Sequence, residues 1–300
     1  MTQSYVLLRE QWMNFWTSKG CTRLEPHDVE GGGGNFHPAT FFGVLGPHPL
    51  RVAYVQPVRR IDWFNDQLLS PASLPLHHLF QVLLKPPPDD VLDMYLESLR
   101  SVGINPALHD VRFVPNEFVS ESLGASGPGY AVLFDGIKLT QISYYQKVGQ
   151  IELEPVSVEI ATGLDWLLLW CFDYPIDLFS LPWDGSMRYH EVLLPKVHEW
   201  AEYYTEVADP KVYYQEYRLM KDEAARLLEK GLVYPSLDYI FRCSHTLNVL
   251  QSRRAISKEE RARILSEIRD LSIRCAEKYL ERRSEAKKPN ATSRFRWQAD

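Results

Sequence analysis

The chain has few cysteines, and their spacing is unlike that of a metal or redox site. Cys21, Cys171, Cys243 and Cys275 lie far apart among the 300 residues and form no C-x-x-C pair. Zinc sites and catalytic disulfides use closely spaced pairs, and disulfide scaffolds need a denser pattern. The four thiols are therefore expected to be reduced and buried in the core of a cytoplasmic protein.

Apolar runs of membrane length are also missing. The longest apolar run, "WLLLWCF" at 166–172, is far shorter than the ~20 residues that a helix needs to cross a bilayer. The first residues, "MTQSYVLLREQW", lack the basic and then apolar order of a signal peptide. We therefore expect no membrane partner and a cytoplasmic location.

Two common phosphate-binding loops are absent from the sequence. It contains no G-x-G-x-x-G after a strand and no G-x-x-x-x-G-K, which excludes the usual dinucleotide-binding and P-loop folds. The net charge of −6 argues against a surface that binds nucleic acid broadly. A local basic patch, or a partner protein that carries the nucleic acid, remains open.

The sequence does contain many strand-like segments, most of them in its first half. They are 21–26, 50–60, 79–86, 111–115, 130–136, 138–146 and 156–161. The dipeptide at Asp135 and Gly136 predicts a tight hairpin between two of them. Because the strands follow one another without regular intervening helices, they favour an α+β sheet over a doubly wound one.

Helices are predicted before, within and after this sheet. Ser4 is a suitable N-cap for a first helix that Gly20 ends, and Asp89 and Asp90 open another that Gly103 closes. Three long helices follow, at 210–231, 235–255 and 257–288. We predict a strand-containing core at 1–190, an all-helical C-terminal domain at 191–286 and a loose tail at 287–300.

Several polar residues stand inside otherwise apolar strands. Gln81, Gln141 and Ser143 lie on different predicted strands, and Glu159 lies on a further one. Polar side chains in a sheet interior must bond to each other or to a polar ligand. The set therefore predicts a pocket in which the carboxylate of Glu159 holds an ammonium group or a magnesium ion.

Three further features leave two interpretations open. Gly31–Gly34 lets the backbone approach a ligand closely, or forms a flexible surface loop. Arg59 and Arg60, followed by Asp62, suit recognition of a phosphate or carboxylate, or form an edge salt bridge. The pair 77–78 is two adjacent histidines, which face opposite sides of a strand, and no third ligand has suitable spacing. No metal site is therefore predicted at these two histidines.

A specific resemblance emerges from the order of short blocks along the chain. The blocks are "KGCTRLEP", "GGGGNFHP", "AYVQPVRR", "FQVLLKP", "MYLESL", "HDVRFV", "TQISYYQKVG", "VEIATGL" and "CSHTLNVLQSRRAIS". Together they resemble the α subunit of bacterial glycyl-tRNA synthetase, a class II aminoacyl-tRNA synthetase, from about residue 7 to 285. The resemblance implies an antiparallel sheet of six or seven strands flanked by helices, a helical C-terminal domain and a homodimer. It also implies ATP and Mg²⁺ as cofactors, glycine as the amino acid, and a β subunit that handles most of the tRNA.

The resemblance assigns roles to individual positions. Pro26 matches the motif 1 proline of the dimer interface. Arg60, with Arg59 and Asp62, matches motif 2, whose arginine holds the α-phosphate and the amino-acid carboxylate. Phe80 matches the aromatic residue that packs on adenine. Catalytic roles are implied for Arg60, Gln81 and Glu159. Substrate contacts are implied for the positions of Asn35, Phe118, Gln141, Ser143, Tyr145, Ala161 and Gly163, and Gln146 belongs to the same matching block as Gln141.

The chain departs from the family pattern where charge is needed. Trp166, in "GLDW", stands where the family has the motif 3 arginine that lies over the adenine and touches the triphosphate. The family's motif 2 loop has two arginines, whereas residues 61–75 here contain no lysine or arginine. The amino-acid side differs too, since Ala161 and Asn35 replace threonines, Leu79 a glutamine and Phe118 a tryptophan.

These departures leave three functions open. The first is a diverged class II ligase that uses another amino acid, activated ligand or acceptor. The second is a catalytically inactive scaffold or regulatory subunit. The third is a functional glycine–tRNA ligase α subunit. The retained Arg60, Gln81, Gln141 and Glu159 favour an enzyme. The missing cations favour the scaffold, because one preorganised cation at a triphosphate contributes about 3 kcal/mol of transition-state stabilisation.

Overall fold

The computed structural model describes residues 3–61, 76–172 and 179–286. Its centre is a seven-stranded sheet with the strand order β1-β2-β3-β7-β6-β5-β4. The strands are β1 (Thr22–Arg23), β2 (Leu50–Arg59), β3 (Leu76–Lys85), β4 (Val111–Ser120), β5 (Ala125–Phe134), β6 (Ile137–Val148) and β7 (Ile151–Gly163). Every neighbouring pair is antiparallel except β1 and β2. The predicted α+β class with a mainly antiparallel sheet is confirmed.

The helices surround this sheet and continue beyond it. They are α1 (Tyr5–Ser18), α2 (Pro38–Phe41), α3 (Val91–Ser101), α4 (Leu164–Trp170), α5 (Tyr189–Val192), α6 (Leu194–Glu202), α7 (Pro210–Glu229), α8 (Val233–Ser252) and α9 (Lys258–Ala286). A small ribbon of β8 (Pro182–Asp184) and β9 (Met187–Arg188) precedes α5. The described part of the chain after β9 is helical as expected, while the boundary near residue 190 stays a prediction and the tail at 287–300 lies outside the described residues.

Local sequence signals explain where several elements begin and turn. The Ser4 hydroxyl accepts the backbone N–H of Leu7 at 3.2 Å and so caps α1, as predicted. At the β5–β6 hairpin, Asp135 and Gly136 have φ values of 49° and 85°, the left-handed pair that a two-residue turn needs. Asp90 precedes α3 but makes no capping hydrogen bond through its side chain.

Some strands differ in length from their predicted ranges. The segment 21–26 pairs only through Thr22 and Arg23, so the predicted first strand is much shorter than expected. The strand predicted at 111–115 continues to Ser120, because β5 pairs with it through that residue. This extension places Asn116 and Phe118 on β4, the edge strand next to β5, beyond the end of the predicted strand.

The two faces of the sheet bury different cores. One face packs on α1, α3 and α4, and its core includes Trp12, Phe80 and Ile160. The other packs on α8, α9 and the chain around α2, and its core includes Tyr54 and Tyr145. Since neighbouring residues of a strand point to opposite faces, Phe80 and Gln81 belong to different sides of the molecule.

The cysteines and the helix lengths agree with the first expectations. All four thiols are buried and free, and burial raises the pKa of Cys21 to about 11 and that of Cys275 to about 12. Among the described residues no helix combines the length and the apolarity needed to cross a bilayer. Nor do those residues contain a group of three histidine, cysteine or acidic side chains suited to a metal ion.

Candidate functional site

A row of polar side chains lies across the middle of the sheet on the face of the second core. The register places Gln81 of β3 and Gln141 of β6 on either side of Ala161 of β7. In the same way Ser143 is directly opposite Glu159. Strand parity puts all five side chains on one face. The structure therefore brings together the strand residues that the sequence singled out as a pocket.

Three of these side chains have buried polar atoms without partners among the described residues. The atoms are Oε1 of Gln81, Oγ of Ser143 and Oε1 of Glu159. Buried polar atoms nearly always have hydrogen-bond partners, and leaving one unpaired costs about 1–3 kcal/mol. Three such atoms on neighbouring strands would be satisfied together by one polar ligand.

Glu159 is the charged centre of this group. Its side chain is 3 % exposed, and burial raises its pKa to about 7 despite a hydrogen bond from Tyr145 that acts in the opposite direction. The Tyr145 hydroxyl donates to Oε2 at 2.7 Å and leaves Oε1 free for another donor. A buried carboxylate gains most from a cation that also donates hydrogen bonds, such as an ammonium group.

The glycine loop forms one wall of the site. A Cβ atom on Gly34 would lie only 1.8 Å from Nε2 of Gln81, so any larger residue would displace that side chain. The Tyr54 hydroxyl donates to the Gly34 carbonyl at 3.1 Å and pairs with the Thr40 hydroxyl at 2.6 Å. Gly34 thus lets the loop backbone pack closely on Gln81, while the close approach of Gly31–Gly34 to a ligand stays a prediction.

The far wall of the site is built by β4. Phe118 stacks on Tyr145 with ring centroids 4.8 Å apart, and Asn116 donates to Oε1 of Gln141 at 2.9 Å. Gln141 is half-buried and partnered, unlike Gln81. Sequence reasoning missed Asn116, because the predicted strand ended at 115 and left this residue in a loop.

Phe80 does not lie with Gln81. It is 1 % exposed and stacks on Trp12 at 4.8 Å, within the core on the opposite face of the sheet. The pleat of β3 requires this, since adjacent residues alternate between faces. The structure thus separates the residue expected to pack on adenine from the polar row.

Trp166 covers the end of β7. It is 6 % exposed, its ring centroid lies 5.0 Å from that of His77, and its Cγ would be 3.4 Å from a Cβ on Gly163. The preceding residue, Asp165, accepts a hydrogen bond from the Tyr189 hydroxyl at 2.5 Å, which holds the first turn of α4 in place. Trp166 is therefore packed as a core residue among its described neighbours.

The motif 2 arginines have different surroundings. Arg59 donates to Glu30 and, at 2.9 Å, to the Tyr204 hydroxyl, and its guanidinium lies 4.4 Å from the ring centroid of Trp200. Arg60 is close enough to Lys138 to affect its titration. Desolvation lowers the pKa of Lys138, and the positive charge of Arg60 lowers it further.

The remaining assigned positions differ in what the structure shows of them. Asn35 is half-buried, and its Oδ1 would lie 2.5 Å from a Cβ on Gly33, so its side chain folds back on its own loop. Asp62 and most of the motif 2 loop lie outside the described residues.

The residues fit an ammonium group better than a triphosphate. The three buried and unpaired oxygen atoms of the polar row suit the N–H donors of an ammonium group. Arg59, at the end of β2, is already paired with Glu30. Trp166 supplies no charge at the position of the family arginine, and residues 61–75 contain neither lysine nor arginine. A triphosphate carries several negative charges that preorganised cations normally stabilise.

Comparison with known proteins gives two findings. A sequence model of the family described as "Glycyl-tRNA synthetase alpha subunit" matches residues 6–284. Among solved structures, the chain is similar to Desulfitobacterium hafniense PylSc, a pyrrolysyl tRNA synthetase, with a TM-score of 0.40 and 14 % sequence identity. That similarity covers 56 % of this chain and 67 % of the other.

Proposed function

Because the chain belongs to the glycyl-tRNA synthetase α-subunit family, we propose that it is a diverged class II ligase that holds an amino acid at the Glu159 site. The observation that carries the proposal is the buried and unpartnered Oε1 of Glu159. An amino acid, or an activated derivative that keeps its ammonium group, would supply the missing cation and the missing hydrogen-bond donors together.

The acceptors of the site match an ammonium group in number. An ammonium has three N–H donors, and Glu159, Gln81 and Ser143 each present one unpaired oxygen. Tyr145 orients the carboxylate by occupying its other oxygen. Gly34 presses on Gln81 and so restricts where its amide oxygen lies. These residues bind and orient the substrate, while Arg60 is the residue proposed for its carboxylate.

The substrate is proposed to differ from glycine. Compared with the family pattern, Ala161 lacks a hydroxyl and Phe118 is a smaller aromatic residue than tryptophan. Ala161 lies between Gln81 and Gln141 in the register, and Phe118 stacks on Tyr145, so both exchanges fall beside the ammonium site. Removing atoms there leaves room for a side chain that glycine does not have.

ATP and Mg²⁺ are the cofactors of the family reaction, and this chain is proposed to use them weakly or not at all. The poor fit to a triphosphate favours weak or absent activation of an amino acid by ATP at the position where the family binds ATP. The same observation supports the alternative of a catalytically inactive scaffold or regulatory subunit. An ordinary glycine–tRNA ligase is disfavoured by both the missing cations and the altered amino-acid side.

The partners are proposed from family membership and charge. A homodimer is proposed through the region of Pro26, where Arg23 and Pro26 are exposed beside the edge strand β1. Because the chain carries a net charge of −6, tRNA is proposed to be held mainly by a β-subunit-like partner. An amino acid or a related small molecule is the proposed ligand of the chain itself.

Calorimetric titration tests the proposal directly. The protein is titrated with each proteinogenic amino acid, with and without ATP and Mg²⁺, and Glu159→Gln is measured in parallel. Saturable binding of one amino acid that Glu159→Gln abolishes supports the ligand site. Amino-acid-dependent ATP–pyrophosphate exchange then supports the enzyme, whereas amino-acid binding without exchange supports the regulatory subunit. Absence of binding by every amino acid overturns the Glu159 assignment.

A further inference from the structure

A second cavity, away from the polar row of the sheet, lies between the loop at 28–30 and the helical region. Its volume is about 740 Å³, within the range of small-molecule sites. The lining residues come from the segment Asp28–Glu30, from α6 and the turn after it, and from α7 and α8. The described residues that line the cavity include four carboxylates and one arginine, so this wall is acidic and unsuited to a phosphate-bearing ligand.

His245 is the residue that marks this cavity as a site. Its side chain is 3 % exposed, and neither ring nitrogen has a hydrogen-bond partner among the described residues. Nε2 points toward the cavity wall at Glu30 but stays 3.7 Å from its Oε2, too far for a hydrogen bond. Burial and the charge of Arg59 lower the pKa of His245 to about 3, so the ring is neutral and offers one acceptor and one donor.

The carboxylates of the cavity also lack sufficient counter-charge. Glu30 is paired with Arg59, whereas Glu216 of α7 is half-buried and forms no ion pair with any of the described residues. Burial raises the pKa of Glu216, and the nearby negative charge of Glu30 raises it further. A cation between them would relieve this repulsion.

Aromatic rings complete the wall. Tyr203 and Tyr213 line the cavity with their hydroxyls 3.3 Å apart, and Trp200 lines it beside them. One ring face of Trp200 already holds the guanidinium of Arg59, so the tyrosines are the rings left for a ligand. Aromatic rings attract cations and also accommodate apolar stems.

We propose that this cavity binds a small primary amine in its protonated form, with the ammonium between Glu216 and His245 and the apolar stem against Tyr203 and Tyr213. The ammonium donates to the Glu216 carboxylate and to the unprotonated ring nitrogen of His245. A quaternary ammonium lacks these donors, and an alcohol lacks the charge, so both bind more weakly. The site is separate from Glu159 and does not depend on the function proposed for it.

The test uses pentan-1-amine as the probe, followed by calorimetry and by the intrinsic fluorescence of the intact protein. Saturable binding is expected, at least about fivefold tighter than that of pentan-1-ol or pentyltrimethylammonium. Glu216→Gln is expected to weaken amine binding roughly three- to tenfold. Glu229→Gln is the matched control, since it removes the same charge from an exposed position on the same helix, away from the cavity.

Each other outcome overturns the proposal. Equal binding of the amine and the alcohol removes the role of charge, and equal binding of the quaternary ammonium removes the hydrogen bond to His245. Equal effects of Glu216→Gln and Glu229→Gln, or no saturation by the amine, exclude the cavity. Glu159→Gln separates the two sites, because it must leave pentan-1-amine binding intact, and loss of that binding would assign the amine to the sheet site instead.

Discussion

Glu159 receives the Tyr145 hydroxyl on one carboxylate oxygen, 2.7 Å away, and leaves the other oxygen buried and unpaired. This asymmetry distinguishes the residue from a structural carboxylate, whose oxygens are both normally satisfied. It also orients the free oxygen, because rotation of the carboxylate would break the bond to Tyr145. Tyr145 thus holds the carboxylate in one orientation, with Oε1 available to accept a hydrogen bond.

The first prediction concerns ligand binding by Glu159→Gln. The substitution keeps the size of the side chain and a hydrogen-bonding oxygen but removes the negative charge that would hold an ammonium. Amino-acid affinity is expected to fall about tenfold or more. Calorimetry measures the affinity of both proteins for the amino acid that the natural protein binds. Unchanged affinity would show that Glu159 does not contact the ligand.

The second prediction is that the difference in stability between the natural protein and Glu159→Gln depends on pH. Burial raises the pKa of Glu159 from 4.5 to about 7, so the folded state binds the proton more tightly than the unfolded state. The natural protein therefore loses stability as the pH rises from about 4.5 to 7, and Glu159→Gln does not. Between pH 4.5 and pH 8, the free energy of unfolding of Glu159→Gln is therefore expected to rise by up to roughly 3 kcal/mol relative to that of the natural protein.

Urea unfolding of both proteins at several pH values measures this difference. The expected sign is that the variant becomes relatively more stable toward higher pH. A difference that is constant from pH 5 to pH 8 would mean that Glu159 titrates near its ordinary pKa and is better solvated than the structure shows.

The third prediction concerns the glycine loop. Gly34→Ala places a Cβ atom 1.8 Å from Nε2 of Gln81 and must displace that side chain, so amino-acid affinity should fall about tenfold. Gly32→Ala is the control, since its Cβ would meet the Asn248 side chain instead, at 2.9 Å. Both substitutions restrict the loop backbone similarly. Equal losses would therefore assign the effect to loop stiffness and not to Gln81.

The fourth prediction addresses ATP chemistry. Weak or no glycine-dependent ATP–pyrophosphate exchange is expected, because the loss of one preorganised cation alone costs about 10²–10³ in rate. Trp166→Arg is expected not to restore exchange, since residues 61–75 still contain no lysine or arginine. Robust exchange with glycine by the natural chain would return it to the ordinary ligases of its family.

The fifth prediction is that the chain forms a homodimer. The exposed residues around Pro26 lie beside β1, a two-residue edge strand that leaves much of this margin of the sheet uncovered by other strands. Light scattering at micromolar concentration is expected to report twice the chain mass of 34.8 kDa. A stable monomer at that concentration would contradict the dimer.

The sequence by itself determined the kind of fold and most of the polar row. Strand-like segments without regular intervening helices, and the hairpin at Asp135, indicate an α+β sheet, and family resemblance extends over nearly the whole chain. Polar residues inside apolar strands, such as Gln81 and Glu159, are visible without coordinates because their burial has a cost that only a partner offsets. Alternation also implies that Phe80 faces away from Gln81, although motif matching grouped them.

Only the tertiary structure decided which residues meet from distant parts of the chain. Arg59 contacts Trp200 and Tyr204, and His245 reaches the cavity wall beside Glu30, across long separations in sequence. Local pattern contains no information about such contacts, because they depend on how the helical region packs against the loop before β2. Whether a buried polar atom finds a partner depends on the same packing, and this is why the unpaired nitrogens of His245 were invisible in the sequence.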